Sequence, residues 1–185
     1  MAVFTFKETP IKDLLLIETA IFADSRGSFQ ETFRQDLFAQ HGINTDFVQS
    51  NQSCSVRHVL RGLHFQTEHP QGKLIRTAWG EIYDVAVDLR KESPAFGKWH
   101  GVILGRENRK LLYVPPGFAH GFLTLSDEAI VIYDCTDYYD AAGQDGIIWN
   151  DPTLAIDWPI GGNSPILSEK DQNNKTFAEY AGTIL

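Results

Sequence analysis

Between Val59 and Lys73 the chain reads VLRGLHFQTEHPQGK, and two of these residues could share one reaction. His64 offers an imidazole able to take a proton near neutral pH, and Lys73 offers a positive charge. A proton acceptor beside a cation suits removal of a proton from a carbon next to a carbonyl, because the cation holds the enolate oxygen that forms. Pro70-Gln71-Gly72 reads as a turn, so a hairpin can bring both side chains into one pocket. Before the turn, alternation places Leu60, Gly62 and His64 on one strand face and Arg61, Leu63 and Phe65 on the other. A lone strand histidine more often only hydrogen-bonds a neighbour, and the hairpin alone favours that plainer reading.

Other residues could complete such a site. Tyr133, in YDCTDYY (133–139), sits mid-strand and can donate a proton from the opposite side of a barrel, although most strand tyrosines only pack. Tyr138 and Tyr139, at the strand end, are placed to stack on a flat ring or simply to pack. Ser168-Glu169-Lys170-Asp171 reads as a charged turn unless Asp171 folds back to orient His64, a task for which Asp84 competes. His120, just after the rigid Pro115-Pro116-Gly117 turn, either lines the same cavity or is an ordinary buried histidine.

The histidines never fall at His-x-His spacing, which argues against a metal-binding barrel. No glycine-rich phosphate loop opens a helix, and no serine nucleophile elbow occurs. A net charge of −8 argues against a broad nucleic-acid surface, while leaving room for one small anion held by local cations. No apolar run is long enough for a membrane helix, and MAVFTFKETP lacks the charged start and apolar core of a secretion signal. Cys54 and Cys135 form no CxxC and read as reduced thiols, so a cytoplasmic protein is expected.

A chain of 185 residues without repeat or linker is expected to make one domain over 1–185, burying roughly 70% of the unfolded surface. Residues 1–22 read as two strands, 24–27 as a turn, and 28–33 as a strand with Phe29, Glu31 and Phe33 on one face. A helix is expected over 35–41, ended by Gly42. Strands are then expected over 47–55, 58–66, 73–78, 81–89, 98–104, 110–114, 118–125 and 129–135, divided by Gly, Pro, Asn and Asp turns. After Tyr139 the pattern fades into loops, with a helical turn near 168–171. This is an all-β pattern, a sandwich or barrel with short helices. In 82–88 alternation sets Asp84 among small and apolar residues, which a barrel with a ligand site inside would explain.

These pieces, in order along nearly the whole chain, resemble the dTDP-4-dehydrorhamnose 3,5-epimerases of the metal-free cupin class. The matching motifs are Asp24-x-Arg26-Gly27-x-Phe29-x-Glu31, Gln49-x-Asn51-x-Ser53, Val59-Leu-Arg-Gly-Leu-His64-Phe-Gln66 and Gln71-x-Lys73-Leu74. Asp84-Val-Ala-Val-Asp88-Leu-Arg90, Pro116-Gly-Phe-Ala-His120-Gly-Phe122, Tyr133, Trp149-Asn-Asp-Pro152 and Ser168-Glu-Lys-Asp171 complete them. The resemblance implies a cupin-type jelly-roll β-barrel, a homodimer, no cofactor, and a dTDP-linked 4-keto-6-deoxyhexose as substrate.

It also implies roles. His64 is the base, paired with Asp171; Tyr133 is the acid on the opposite face of the sugar; Lys73 steadies the enolate oxygen. Arg26, Glu31, Gln49, Asn51, Arg61, Gln66, His120 and Lys170 match positions that hold the nucleotide diphosphate and sugar, and Tyr139 the aromatic that stacks on the ligand. Gln144 stands where a nucleotide-contacting Glu is usual, and Ser50 where Asp is usual. The nearest alternatives are a mono-epimerase or a ketoisomerase acting on a related nucleotide 4-keto-6-deoxysugar. A sugar-nucleotide binder without turnover and a metal-dependent oxygenase are rivals from other classes.

Overall fold

The computed structural model describes residues 3–184. Among these residues thirteen strands form two main antiparallel sheets and a separate hairpin. The six-stranded sheet runs β1 (Phe4–Glu8), β2 (Leu15–Thr19), β10 (Leu111–Val114), β7 (Lys73–Trp79), β12 (Glu128–Cys135), β5 (Gln49–Val56). The five-stranded sheet runs β13 (Gln144–Gly146), β6 (Leu60–Gln66), β11 (Phe118–Thr124), β8 (Glu81–Asp88), β9 (Trp99–Gly105). From β5 onward the chain crosses repeatedly between the sheets, the winding of a jelly roll.

Alternation along the strands builds the core between the sheets. Ile82 and Ala86 of β8, Phe118 and Phe122 of β11, Ile75 of β7 and Val131 of β12 meet there, all buried. Each of the larger of these side chains contributes roughly 1.5–3 kcal/mol of burial. The opposite face of the five-stranded sheet, with Leu63, Val85 and Val87, is covered by the C-terminal segment through Leu154, Trp158 and Phe177. Asp151 fixes that segment: its carboxylate accepts from the amides of Thr153, Leu154 and Phe177. Leu74 and Leu111, facing outward from the six-stranded sheet, pack under helix α1 (Gln35–Gln40) through Phe38. Gly42 ends that helix at φ +84°, with Ile43 N–H donating to Phe38 O.

Several expectations need correction. The strand expected over 28–33 is shorter, β4 (Gly27–Gln30), and pairs only with β3 (Ile21–Asp24) in an exposed hairpin. The stretch 1–22 holds β1, β2 and the start of β3 rather than two strands, and Met1 and Ala2 lie outside the described residues. After Tyr139 the helical turn expected near 168–171 is present as α2 (Glu169–Gln172), but the supposed loops also contain β13 and α3 (Phe177–Ile184). β13 spans three residues and takes its strand form from pairing with β6, so no local periodicity announces it.

Arg61 is the most consequential correction. Between β11 and β6, His120 faces His64 and Phe122 faces Arg61, so two steps on one strand match three on the other. The extra residue is a β-bulge at Gly62, whose φ is +116°. Alternation changes parity there. Leu60, Leu63 and Phe65 therefore all join the outer core, and Arg61 shares the inner face with His64.

Candidate active site

One end of the barrel opens into a cavity of about 280 Å³ lined by Gln49, Asn51, His64, Gln66, Gln71, Lys73, Tyr133, Tyr139 and Gln144 together with Phe65. Strand register explains the company. Tyr133 on β12 lies beside Asn51 on β5, and Cys135 lies between Gln49 and Lys73. His64 comes from the facing sheet. Base, acid and cation candidates thus border one space.

The imidazole of His64 is held from behind. Its Nε2 lies 2.5 Å from Asp171 Oδ1, and Asp171 is buried. Burial by itself would raise the Asp171 carboxyl, but hydrogen bonds from His64, Ser168 and the Gly62 amide outweigh it and leave the pKa below the usual carboxylate range. An ionised carboxylate accepts, so Nε2 carries a proton, and Nδ1 is the nitrogen that holds the free lone pair in the neutral imidazole. Ser168 caps α2 by accepting from the Asp171 amide, and its hydroxyl donates to Asp171 Oδ2 at 2.8 Å. The Gly62 bulge therefore serves the site twice, turning Arg61 inward and offering an amide to Asp171.

Asp84, the competing partner for His64, is committed elsewhere. It is fully buried and both its oxygens lie 2.9 Å from His120 Nε2. His120 stands opposite His64 in register and does not border the cavity.

Burial pushes the Lys73 ammonium pKa down, opposed by the negative charge available to Cys135 and by Asp84. Among the described residues Lys73 makes no ion pair. Burial likewise pushes the Tyr133 phenol pKa up, with Cys135 adding and Arg61 opposing, so the phenol stays protonated through neutral pH. A polar chain runs along the wall: Tyr139 OH donates to Gln144 Oε1, Tyr139 N–H to Gln49 Oε1, and Gln49 Nε2 to Asn51 Oδ1. Gln66 borders the cavity with both carboxamide atoms buried and unpaired among the described residues, a cost of roughly 1–3 kcal/mol that a bonded ligand or water would remove.

Besides His120 and Asp171, four expected residues do not border this cavity. Arg26 is exposed at the β3–β4 turn and pairs with Asp24 at 2.6 Å. Glu31 follows that hairpin, 3.8 Å from Arg34. Lys170, on α2, borders a different hollow with Asp145, Asn174 and Lys175. Arg61 donates to Ser55 Oγ at 3.1 Å, deeper between the sheets. The sequence reading missed Gln71 and Phe65 as lining residues and Ser168 and Cys135 as supports. Two-residue spacing from Tyr133 and a Ser-x-x-Asp helix start were the available signals for the last two. Among the described residues no three His, Cys, Asp or Glu side chains converge as metal ligands, and no helix is long and apolar enough to cross a membrane.

A jelly-roll barrel with an imidazole–carboxylate pair, a phenol and a desolvated ammonium at one mouth defines a cupin-like enzyme of the isomerase class. The family model described as dTDP-4-dehydrorhamnose 3,5-epimerase matches residues 8–179. The chain belongs to that family. It is 52% identical over 180 residues to a dTDP-4-dehydrorhamnose 3,5-epimerase from Methanothermobacter thermautotrophicus, covering 97% of each. Its fold matches a dTDP-6-deoxy-D-glucose-3,5-epimerase from Legionella pneumophila, solved in complex with dTDP-4-keto-L-rhamnose, with a TM-score of 0.94. Identity there is 45%, over 98% of this chain and 97% of that one. A 3'-monoepimerase from Streptomyces bikiniensis, in complex with dTDP-quinovose, matches with a TM-score of 0.86 and 36% identity over 94% of this chain and 89% of that one.

Proposed function

We propose that this enzyme epimerises C3 and C5 of dTDP-4-dehydro-6-deoxy-D-glucose, giving dTDP-4-dehydro-L-rhamnose. The carrying observation is that His64, Lys73 and Tyr133 border one cavity from different strands. The 4-keto group acidifies the hydrogens on both neighbouring carbons. His64 Nδ1 takes one of them, the C–H electron pair moves into an enolate, and Lys73 holds the enolate oxygen. Tyr133 returns a proton from the opposite face, inverting the centre. His64 and Tyr133 then exchange protons with solvent before the second inversion. Positioned acid and base each contribute on the order of 10²- to 10⁴-fold. Gln49, Asn51, Arg61, Gln66, Tyr139 and Gln144 bind the sugar nucleotide, and His120 acts from its place opposite His64.

The protein acts as a single-domain homodimer in the cytoplasm. The β3–β4 hairpin supports the dimer: Phe22 and Phe29 are 54% and 67% exposed, a costly display on one copy. In a homodimer a second copy's hairpin can bring Arg26 and Glu31 to this cavity, which one chain leaves without them. The similarity to a 3'-monoepimerase keeps a second reading, inversion of C3 alone. Proton NMR of product formed in D2O separates them: deuterium at C3 and C5 with both centres inverted supports the first, inversion at C3 alone supports the second, and no turnover refutes both.

A further inference from the structure

Cys135 is a buried thiol beside the site that the proposed chemistry does not use. It is 1% exposed and stands in register between Gln49 and Lys73. Asn51 Nδ2 donates to its Sγ at 3.7 Å. This contact ends the polar chain that starts at the cavity mouth, and the direction of that chain is settled by its one backbone member. Tyr139 N–H can only donate, so the Gln49 atom it meets, 2.9 Å away, is the oxygen. Gln49 must then present Nε2 to Asn51, and Asn51 must receive it with Oδ1, 3.1 Å away. The Asn51 NH2 group is left facing Cys135.

We infer that Cys135 is a positioning residue: its sulfur, as hydrogen-bond acceptor, holds Asn51 and through it Gln49, so that both carboxamides turn their remaining N–H donors to the ligand. Burial pushes the Cys135 thiol up, so it stays neutral and acts as acceptor without a competing charge. The wall then reads acceptor groups on the substrate, a keto, hydroxyl or phosphate oxygen, rather than donors. The chain also joins the mouth aromatic Tyr139 to the floor beside Lys73. The role in turnover rests on the reading of this cavity as the reaction site, but the geometry can be tested apart from it.

Two measurements on the full-length protein decide the matter. In side-chain amide NMR, Cys135→Ala should shift the Asn51 and Gln49 NH2 resonances and the Tyr139 backbone amide, and Cys135→Ser should return them towards wild type. Resonances unmoved by Cys135→Ala overturn the inference whether or not the reaction is as proposed. In kinetics on dTDP-4-keto-6-deoxyglucose, Cys135→Ala should raise KM about fivefold, the worth of one hydrogen bond, with kcat within about twofold. Cys135→Ser, which keeps an acceptor, should restore KM. If serine is as impaired as alanine, sulfur volume and not the bond matters, and the assignment fails. An inactive wild type would refute the proposed reaction while leaving the NMR result to judge the positioning role.

Discussion

His64 Nε2 and Asp171 Oδ1 stand 2.5 Å apart although 107 residues separate them in the chain. The contact fixes which imidazole nitrogen is free to take a proton. Asp171→Asn should therefore lower kcat on the order of 10²- to 10⁴-fold, as loss of the correct tautomer does elsewhere, with dTDP affinity within about twofold. Calorimetric titration with dTDP beside steady-state kinetics checks the split. Equal losses in both would refute an orienting role. The same carboxylate carries a pH signature. Its folded pKa is depressed, so its stabilisation is present above the unfolded carboxylate pKa and is lost as pH falls through the folded value. Asp171→Asn should flatten the acid limb of a melting-temperature profile.

Tyr133→Phe should separate exchange from inversion. The base is untouched, so deuterium from D2O should still enter the substrate, while inverted product falls on the order of 10²-fold or more. Normal inversion at both centres would place the acid elsewhere.

Lys73→Met should cost on the order of 10²-fold or more in kcat, because the enolate oxygen loses its cation. The variant should nevertheless melt higher, since an apolar side chain replaces a desolvated ammonium. For the wild type the slope has the same sign as for Asp171, although here a destabilising charge is lost: a lysine with a lowered folded pKa makes stability rise with pH between that value and the ordinary lysine pKa. Thermal unfolding from neutral to alkaline pH should show the rise in wild type and its loss in Lys73→Met.

Gly62→Ala tests the bulge. An added Cβ would stand 2.6 Å from Gly121 Cα and 2.7 Å from His120 O, at a φ of +116° that side chains rarely adopt. A loss of roughly 2 kcal/mol or more is expected, read as a shift in urea midpoint at unchanged slope.

Phe22→Glu with Phe29→Glu should dissociate the proposed homodimer. Sedimentation velocity should show twice the 20.8 kDa chain mass for wild type and a single chain mass for the variant. A monomeric wild type would refute the dimer.

Alternation and turn residues were enough to read the barrel strands other than β13, to put Asp84 on the inner face, and to single out His64, Lys73 and Tyr133, because period-two patterning and turn chemistry are local properties of the chain. The same rule failed at Arg61. A single inserted residue at Gly62 reverses parity, and only the pairing with β11 reveals it. Patterning alone left two carboxylates, Asp84 and Asp171, competing to orient His64, and only the family resemblance pointed to Asp171. Strand packing gave the first to His120, and docking of the C-terminal segment carried the second across the fold to His64. Such pairings depend on contacts between residues distant in the chain, whose free energy comes from the assembled core and leaves no periodic mark in the sequence.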